Sequence, residues 1–285
     1  MFKRQLFTYW HQGFDHAPAI VDTCISSFRQ HHDNWDLICL DSDNVHEWLE
    51  PLPIRKSRWE QLALAHQSDL IRTQLLIRHG GVWADPTVFF TGSLDSWLPV
   101  DDQSSLFLFS RPGPDRLISN WFIAASPGNR LLEILLQRLC EYWDGNNFVN
   151  LDGGGQRRLR LLCRLLNRNR ALTRLWLSKP VIKGLKVAPY MIYHYLFNDL
   201  VASDPVWREA WQTMPKVSAD LPHRLQEMDL LEAMTSEAKV AIADRRVPLF
   251  KLTWKLASTE VPEGSILEYL LKQGRGSQET VPHHA

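Results

Sequence analysis

The chain has 285 residues, 45% of them hydrophobic and 11% aromatic, which is the composition of a globular protein with a full core. Its 32 Lys and Arg residues balance 32 Asp and Glu residues, so the formal net charge is zero and we expect no nucleic-acid partner. The four cysteines show no CxxC spacing, which argues against a zinc site or a redox motif. No apolar segment is long enough to span a membrane and none resembles a signal peptide, so we expect a cytoplasmic protein.

The first half of the chain alternates predicted strands with predicted helices. Strand-like runs lie at residues 6–10, 36–40, 105–109 and 121–124, and helical patterns lie at residues 17–31, 58–78 and 129–143. Such alternation predicts a mainly parallel sheet flanked by helices, with ligands at the carboxyl ends of the strands. Trp10, Asp41 and Asp85 fall at such ends.

The stretch from residue 68 to residue 88 is the strongest candidate for a polar site. Asp69 and Arg72 lie one turn apart on a predicted helix, where positions i and i+3 share a face, so both side chains can point into one cleft. Gly80 and Gly81 then end the helix, and a short apolar strand leads to Asp85. The alternative is an ordinary helix–strand connection with a surface ion pair.

The sequence changes in character after residue 152. A Gly-Gly-Gly run at 153–155 predicts a flexible joint, and no Gly-Lys-Ser/Thr follows, so it is not a P-loop. Residues 156–179 contain seven arginines and one lysine but no acidic residue. If they form a helix, one side is basic and the other is lined by Leu159, Leu162, Cys163 and Leu166. This pattern fits a helix on an anionic membrane surface, or a helix packed on the main domain with a solvated basic face.

Several runs of residues, in chain order, are similar to the motifs of one family. They are Tyr9–Gly13, Leu40–Val45, Ser68–Arg72, His79–Val88, Ser119–Ala125, Pro222–Gln226 and Pro248–Lys255. Through these runs most of the chain resembles the capsular polysaccharide synthesis protein family, a relative of the DxD-containing sugar transferases of glycosyltransferase family thirty-two. The resemblance implies a GT-A-like α/β fold with a helical carboxy-terminal extension. We accordingly expect a nucleotide-sugar-binding core at 1–152, a region that completes the site at 153–273, continuous with the core, and a disordered tail at 274–285.

The resemblance also implies roles for individual residues. Asp69 and Arg72 match a pair that binds sugar hydroxyls and the diphosphate, since carboxylates accept from hydroxyls and arginine presents a fork of donors to phosphate. Trp10 matches an aromatic residue that packs near the nucleotide base. The remaining candidates for substrate binding are Gln12, Thr87, Asn120, Lys251, Trp254 and Lys255. For the run that contains the two lysines, an amphipathic strand without a binding role is the alternative.

A divalent cation is expected from the same resemblance. Related sugar transferases place Asp-x-Asp at a strand end, and here the run is Asp85-Pro86-Thr87, so one carboxylate is present and the second is a hydroxyl. Mn²⁺ or Mg²⁺ would be held by Asp85, with Thr87 nearby and His223 as a further ligand, and otherwise by the donor phosphates. A second Asp-x-Asp run, Asp41-Ser42-Asp43, is explained by a helix N-cap.

We therefore predict a glycosyltransferase with Asp69, Arg72 and Asp85 as catalytic residues, and of the retaining type in keeping with the family. The donor is a UDP-sugar, with a GDP-sugar as the alternative, and the acceptor is a glycan or a lipid-linked glycan of a surface polysaccharide. Membrane contact would be peripheral, through residues 156–179. The competing hypotheses are a non-catalytic sugar- or lipid-binding protein and a metal-dependent nucleotide-sugar hydrolase.

Overall fold

The computed structural model describes residues 2–99, 106–151, 155–256 and 259–275. The chain divides into two compact units. The first unit comprises Met1–Lys3, His46–Trp83 and Val100–Ser218, and the second comprises Arg4–Val45, Ala84–Pro99 and Ala219–Ala285. Two residues of the predicted glycine joint and most of the predicted tail lie outside the described residues, and the predicted boundary at residue 152 stays a prediction.

The strands are β1 Gln5–Tyr9, β2 Asp36–Leu40, β3 Gly81–Ala84, β4 Val88–Phe90, β5 Leu106–Gly113, β6 Arg116–Ala125 and β7 Leu249–Lys251. The α-helices are α1 Ala19–His31, α2 Lys56–Trp59, α3 Leu64–His79, α4 Arg130–Asp144, α5 Gln156–Leu166, α6 Arg170–Thr173, α7 Ile192–Ser203, α8 Pro205–Thr213, α9 Asp220–Glu227, α10 Ser236–Ala243 and α11 Ile266–Arg275. Short 3₁₀ helices lie at Phe14–His16, Val45–Glu47, Leu94–Ser96, Arg174–Leu177 and Trp254–Leu256, and a π-helical segment lies at Pro180–Leu185.

Both units combine strands with helices, and the predicted α/β fold class is confirmed. In the second unit β1 and β2 pair in parallel, with Tyr9 opposite Leu40. In the first unit the order is β3-β6-β5, and β5 and β6 form an antiparallel hairpin that turns at Pro114 and Asp115. Alternation of strands with helices did not predict this hairpin, although proline followed by aspartate is a usual turn signal.

In each unit, helices of that unit pack against its strands and against each other. In the first unit α3 and α7 pack on β6, and α4 packs on α3. In the second unit α1 packs on β4 and on α11, and β4 pairs antiparallel with β7, which places Val88 opposite Lys251. This pairing brings the strand that follows the Asp85 turn beside Lys251, a residue far along the chain.

The predicted helix over residues 58–78 is wrong at its start. The structure has α2 ending at Trp59 and α3 beginning at Leu64. The side chain of Gln67 donates from Nε2 to the carbonyl oxygens of Trp59 and Leu62 at 3.0 and 3.1 Å. The break is therefore stabilised because a side chain satisfies carbonyl groups that a continuous helix would bond through its backbone.

The carboxy-terminal region is mainly helical, as expected, and consists of α5 to α11 with the short strand β7. Within the described ranges, no helix is long and apolar enough to cross a membrane. The predicted cytoplasmic location stays a prediction.

Candidate functional site

Helix α3 ends where the sequence places two glycines. Gly80 and Gly81 have φ angles of +69° and +88°, in the region that side-chain-bearing residues rarely adopt. A Cβ atom at Gly80 would lie 2.5 Å from Cδ of Pro127, so this position also needs the space that glycine leaves. The predicted role of the pair as a permissive turn is confirmed, and the turn delivers the chain directly into β3.

Asp69 lies in the first unit, buried on α3, with its side chain 9% exposed. Its Oδ1 accepts a hydrogen bond of 2.7 Å from Nδ2 of Asn120 on β6 and lies 3.7 Å from Nη1 of Arg72. The structure thus brings together three of the predicted site residues. The alternative of a surface ion pair is wrong, because neither Asp69 nor Arg72 is at the surface.

The guanidinium of Arg72 is held from several directions. It donates to the carbonyl oxygen and to Oγ of Ser68 at 3.1 and 2.9 Å, and to the carbonyl oxygen of Asn120 at 2.5 Å. Its Cζ atom lies 4.9 Å from the ring centroid of Trp83, a cation–π contact. This arrangement fixes the orientation of Arg72 within the first unit.

A histidine that sequence reasoning missed lies next to Asp69. Nδ1 of His66 is 4.0 Å from Oδ2 of Asp69, and its ring is 4.6 Å from that of Trp143 and 5.8 Å from that of Tyr190. His66 precedes Asp69 by three residues on the same helix, so the i, i+3 rule that paired Asp69 with Arg72 would also have found it. Tyr190 is 64% exposed, so this group of rings reaches the surface of the first unit.

In the second unit, Asp85 and Thr87 share one cationic partner. Nζ of Lys251 lies 3.1 Å from Oδ2 of Asp85 and 2.6 Å from Oγ1 of Thr87. The side chains of Lys251 and Asp85 are only 16% and 24% exposed, so their attraction is less screened than in a surface pair. The structure therefore brings together three more predicted site residues.

Two backbone contacts explain why Lys251 is placed there. The amide of Leu252 donates to the carbonyl oxygen of Thr87 at 2.8 Å, which extends the pairing of β4 with β7. Nε2 of Gln226 on α9 donates to the carbonyl oxygen of Lys251 at 2.6 Å. The predicted carboxy-terminal motifs thus pack on each other, and Gln226 is a positioning residue that was not predicted.

The predicted aromatic pair also lies in the second unit. The rings of Trp10 and Trp254 meet edge to face with centroids 6.3 Å apart, and Trp254 is 53% exposed. Nε1 of Trp10 is buried and has no acceptor among the described residues. Gln12, in the turn after β1, and Lys255 are exposed. The pair therefore presents one ring to solvent and one buried donor beneath it.

Asp85 and His223, two of the predicted metal ligands, both contact other groups in the structure. Nδ1 of His223 bonds to the carbonyl oxygen of Ala219 at 2.6 Å, and the carboxylate of Asp85 already contacts Lys251. Burial lowers the pKa of His223, and the charge of Lys251 lowers it further. No group of three or more His, Cys, Asp or Glu side chains suited to a metal occurs in the described part of the chain. Binding of Mn²⁺ or Mg²⁺ together with a donor stays a prediction.

The second Asp-x-Asp run has a local explanation. Oδ1 of Asp41 accepts from the backbone amides of Asp43 and Asn44 at 2.9 and 3.1 Å, just before the 3₁₀ helix Val45–Glu47. The backbone amide of Asp41 in turn donates to Oδ1 of Asn44. The run therefore caps a helical turn, as predicted.

Comparison with known proteins supports the resemblance seen in the motifs. The family model for capsular polysaccharide synthesis proteins matches residues 1–150, just over half of the chain. The chain belongs to this family. Two curated relatives of this family member are the O-glycosyltransferase braB of Annulohypoxylon truncatum and the glycosyltransferase afumC of Aspergillus fumigatus, both 26% identical over half of the chain. The matched segments span 38% and 41% of those relatives, so the comparison reaches about two fifths of their length.

Two solved glycosyltransferase structures are similar to this family member at low identity. The PaToxG glycosyltransferase matches 97% of the chain, and 87% of its own chain, with a TM-score of 0.44 and 12% identity. The glycosyltransferase GlyE of Streptococcus pneumoniae TIGR4 matches the whole chain, and 66% of its own chain, with a TM-score of 0.33 and 9% identity.

Proposed function

We propose that the protein transfers a sugar from a nucleotide-diphospho-sugar to a glycan or lipid-linked glycan in the synthesis of a capsular or other surface polysaccharide. Membership of the capsular polysaccharide synthesis family and the two curated glycosyltransferase relatives support this proposal. In the reaction the bond from the anomeric carbon to the diphosphate oxygen breaks and its electron pair leaves with the diphosphate. A bond forms to the acceptor oxygen, and the proton of that hydroxyl passes to the departing diphosphate.

The observation that carries the proposal is the contact of Lys251 with Asp85 and Thr87. A departing diphosphate gains negative charge, and a positive group already in place stabilises that charge without rearrangement. An ammonium has three N–H donors, and these contacts use two of them, so the third can donate to a phosphate oxygen. Asp85 then acts by holding Lys251 in position.

The aromatic pair fits the nucleotide end of the donor. A base stacks on an exposed aromatic ring, and Trp254 offers such a ring with Trp10 beneath it. The buried Nε1 of Trp10 is a donor that a ligand oxygen or nitrogen would satisfy. In the first unit, the family resemblance assigns Asp69 and Arg72 to sugar and diphosphate binding, and Asn120 is a candidate for binding the donor sugar or the acceptor. On that resemblance we also propose that the donor is a UDP-sugar, with a GDP-sugar as the alternative. We propose on the same ground that the anomeric configuration is retained.

Calorimetric titration with UDP- and GDP-sugars, in EDTA and in Mn²⁺, tests the donor site. We expect one nucleotide class to bind in EDTA, and Lys251→Ala to weaken binding by about 10–150-fold, the value of a charge-assisted hydrogen bond. Lys239→Ala, which removes an exposed lysine of α10, is the matched control and should bind like the wild type. Binding that requires Mn²⁺ in the wild type would refute the role of Lys251 and favour the predicted metal ion.

Two further arms separate the proposal from its competitors. Thr87→Asp adds the second carboxylate, so we expect its nucleotide-sugar binding to become dependent on Mn²⁺. Turnover of the donor at equal rates with and without an acceptor would indicate a hydrolase. Binding without turnover for a broad panel of glycan acceptors, together with an Asp85→Ala variant that still functions in the host, would indicate a binding protein. No binding of any nucleotide sugar would overturn the proposed function itself.

A further inference from the structure

Helix α5 carries an exposed face that its packing does not use. Leu166 belongs to a core cluster of the first unit that includes Trp176 and Tyr195, and Leu159, Leu162 and Cys163 pack against this cluster. The opposite side, here called the basic face of α5, consists of Arg157, Arg158, Arg160, Leu161, Arg164 and Leu165, all exposed. The helix is therefore packed on its own unit, as one of the two hypotheses held, and still presents a second surface.

The basic face combines charge with apolar area. Leu161 and Leu165 lie one turn apart and are 59% and 44% exposed, so they form neighbouring apolar positions between arginines. Over residues 156–186 the sequence contains seven arginines and three lysines but no acidic residue. In a chain of zero net charge this is a strong local concentration of positive charge.

We propose that the basic face of α5 binds the surface of a bilayer that contains anionic lipids, with Leu161 and Leu165 inserted among the acyl chains. Arginines at this depth contact lipid phosphates, while leucines leave water, which is how amphipathic interfacial helices bind. The leucines favour a bilayer over nucleic acid, because a polyanion offers no apolar phase for them. The proposal rests on this helix and does not depend on the proposed activity.

Flotation of the full chain with phosphatidylcholine vesicles, with and without phosphatidylglycerol, tests the proposal. We expect binding to the anionic vesicles that weakens as salt rises from about 0.1 M to about 1 M, because the Debye length falls from about 10 to about 3 Å. Each arginine near an anionic surface contributes about fivefold to partitioning, so the triple variant Arg157→Gln/Arg160→Gln/Arg164→Gln should bind about a hundredfold more weakly.

Two further variants complete the test. Leu161→Ser/Leu165→Ser keeps the charge and should weaken binding by about tenfold or more. Arg130→Gln/Arg208→Gln/Arg246→Gln removes the same charge from exposed arginines elsewhere and should bind like the wild type. Thermal melting of each variant checks that the fold is intact.

Three results would overturn the proposal. The first is no binding of the wild type to anionic vesicles. The second is equal loss in the matched control, which would mean that only net charge matters. The third is unchanged vesicle binding in the leucine variant together with equally tight binding to heparin or RNA, which would identify a general polyanion surface.

Discussion

Replacing Asp69 by alanine tests whether the buried group around it is a structural network. The carboxylate accepts 2.7 Å from Asn120 and lies 3.7 Å from Arg72, with both members of the ion pair less than a tenth exposed. Its removal leaves a buried guanidinium without its carboxylate, and breaking such a pair costs about 3–5 kcal/mol. We therefore expect Asp69→Ala to lower the free energy of unfolding by about 3–5 kcal/mol.

Asn120→Ala removes the other partner and gives a double-mutant cycle. A hydrogen bond to a charged group contributes about 1.5–3 kcal/mol, so the single variant should lose about that much. With Asp69 already replaced, the same substitution should cost about 1 kcal/mol or less, because the bond no longer exists. The four proteins are compared by urea unfolding followed by tryptophan fluorescence, and their midpoints are converted with a common slope.

The cycle can fail in a defined way. If the two substitutions add to within about 0.5 kcal/mol, the contact between Asp69 and Asn120 is not a stabilising bond and the reasoning is refuted. A stable Asp69→Ala protein with normal melting but no binding of donor sugar would indicate instead that Asp69 is kept for substrate alone.

Three other predictions follow from single contacts. Gly80→Ala should cost about 2–4 kcal/mol in urea unfolding, because φ is +69° and the new Cβ meets Pro127, whereas Gly128→Ala, at φ +70° with nothing within 4 Å, should cost about half as much or less. Trp254→Ala should change stability by less than about 1 kcal/mol but weaken nucleotide binding by about 5–150-fold in calorimetry, since its ring is 53% exposed. Burial lowers the pKa of His32 to about 4, so the folded protein resists protonation that the unfolded chain accepts below about pH 6.5. The contribution of neutral His32 to the free energy of unfolding is complete above pH 6.5 and falls by about 3 kcal/mol as the pH drops to 4. Chemical unfolding at several pH values should show that this dependence of stability on pH is reduced in His32→Gln.

Local sequence patterns predicted the structural features that depend on residues close together in the sequence. The helix of Asp69 and Arg72, the glycine turn and the packed side of α5 all follow from spacings of one to four residues, and the structure has them. The same spacing predicts which side of α5 carries the arginines. It does not predict that Leu161 and Leu165 are exposed, because only the packing of the helix on its unit decides which leucines are covered.

Contacts between elements that are distant in the sequence could not be predicted from such patterns. Asn120 bonds to Asp69 because β6 lies beside α3 in the first unit, 51 residues along the chain. The position of Asn120 in a strand-like stretch made it a candidate for binding, but nothing in the neighbouring sequence identifies Asp69 as its partner. The hairpin of β5 and β6 was missed for a related reason, since a template of alternating strands and helices favours parallel pairing.

The Asp85 turn shows what long-range pairing adds to the interpretation of a motif. From the sequence, threonine at position 87 is a lost carboxylate, which weakens the expected metal site. In the structure its hydroxyl accepts from Lys251, 164 residues later, and the register of β4 with β7 makes this possible.

Asp85 and Lys251 together carry no net charge, and a hydroxyl at position 87 accepts a hydrogen bond without disturbing that balance. A second aspartate there would leave an uncompensated negative charge beside the lysine, which a divalent cation would offset. The threonine and the lysine are thus consistent with each other, and the departure from Asp-x-Asp fits a site whose positive charge comes from the chain itself.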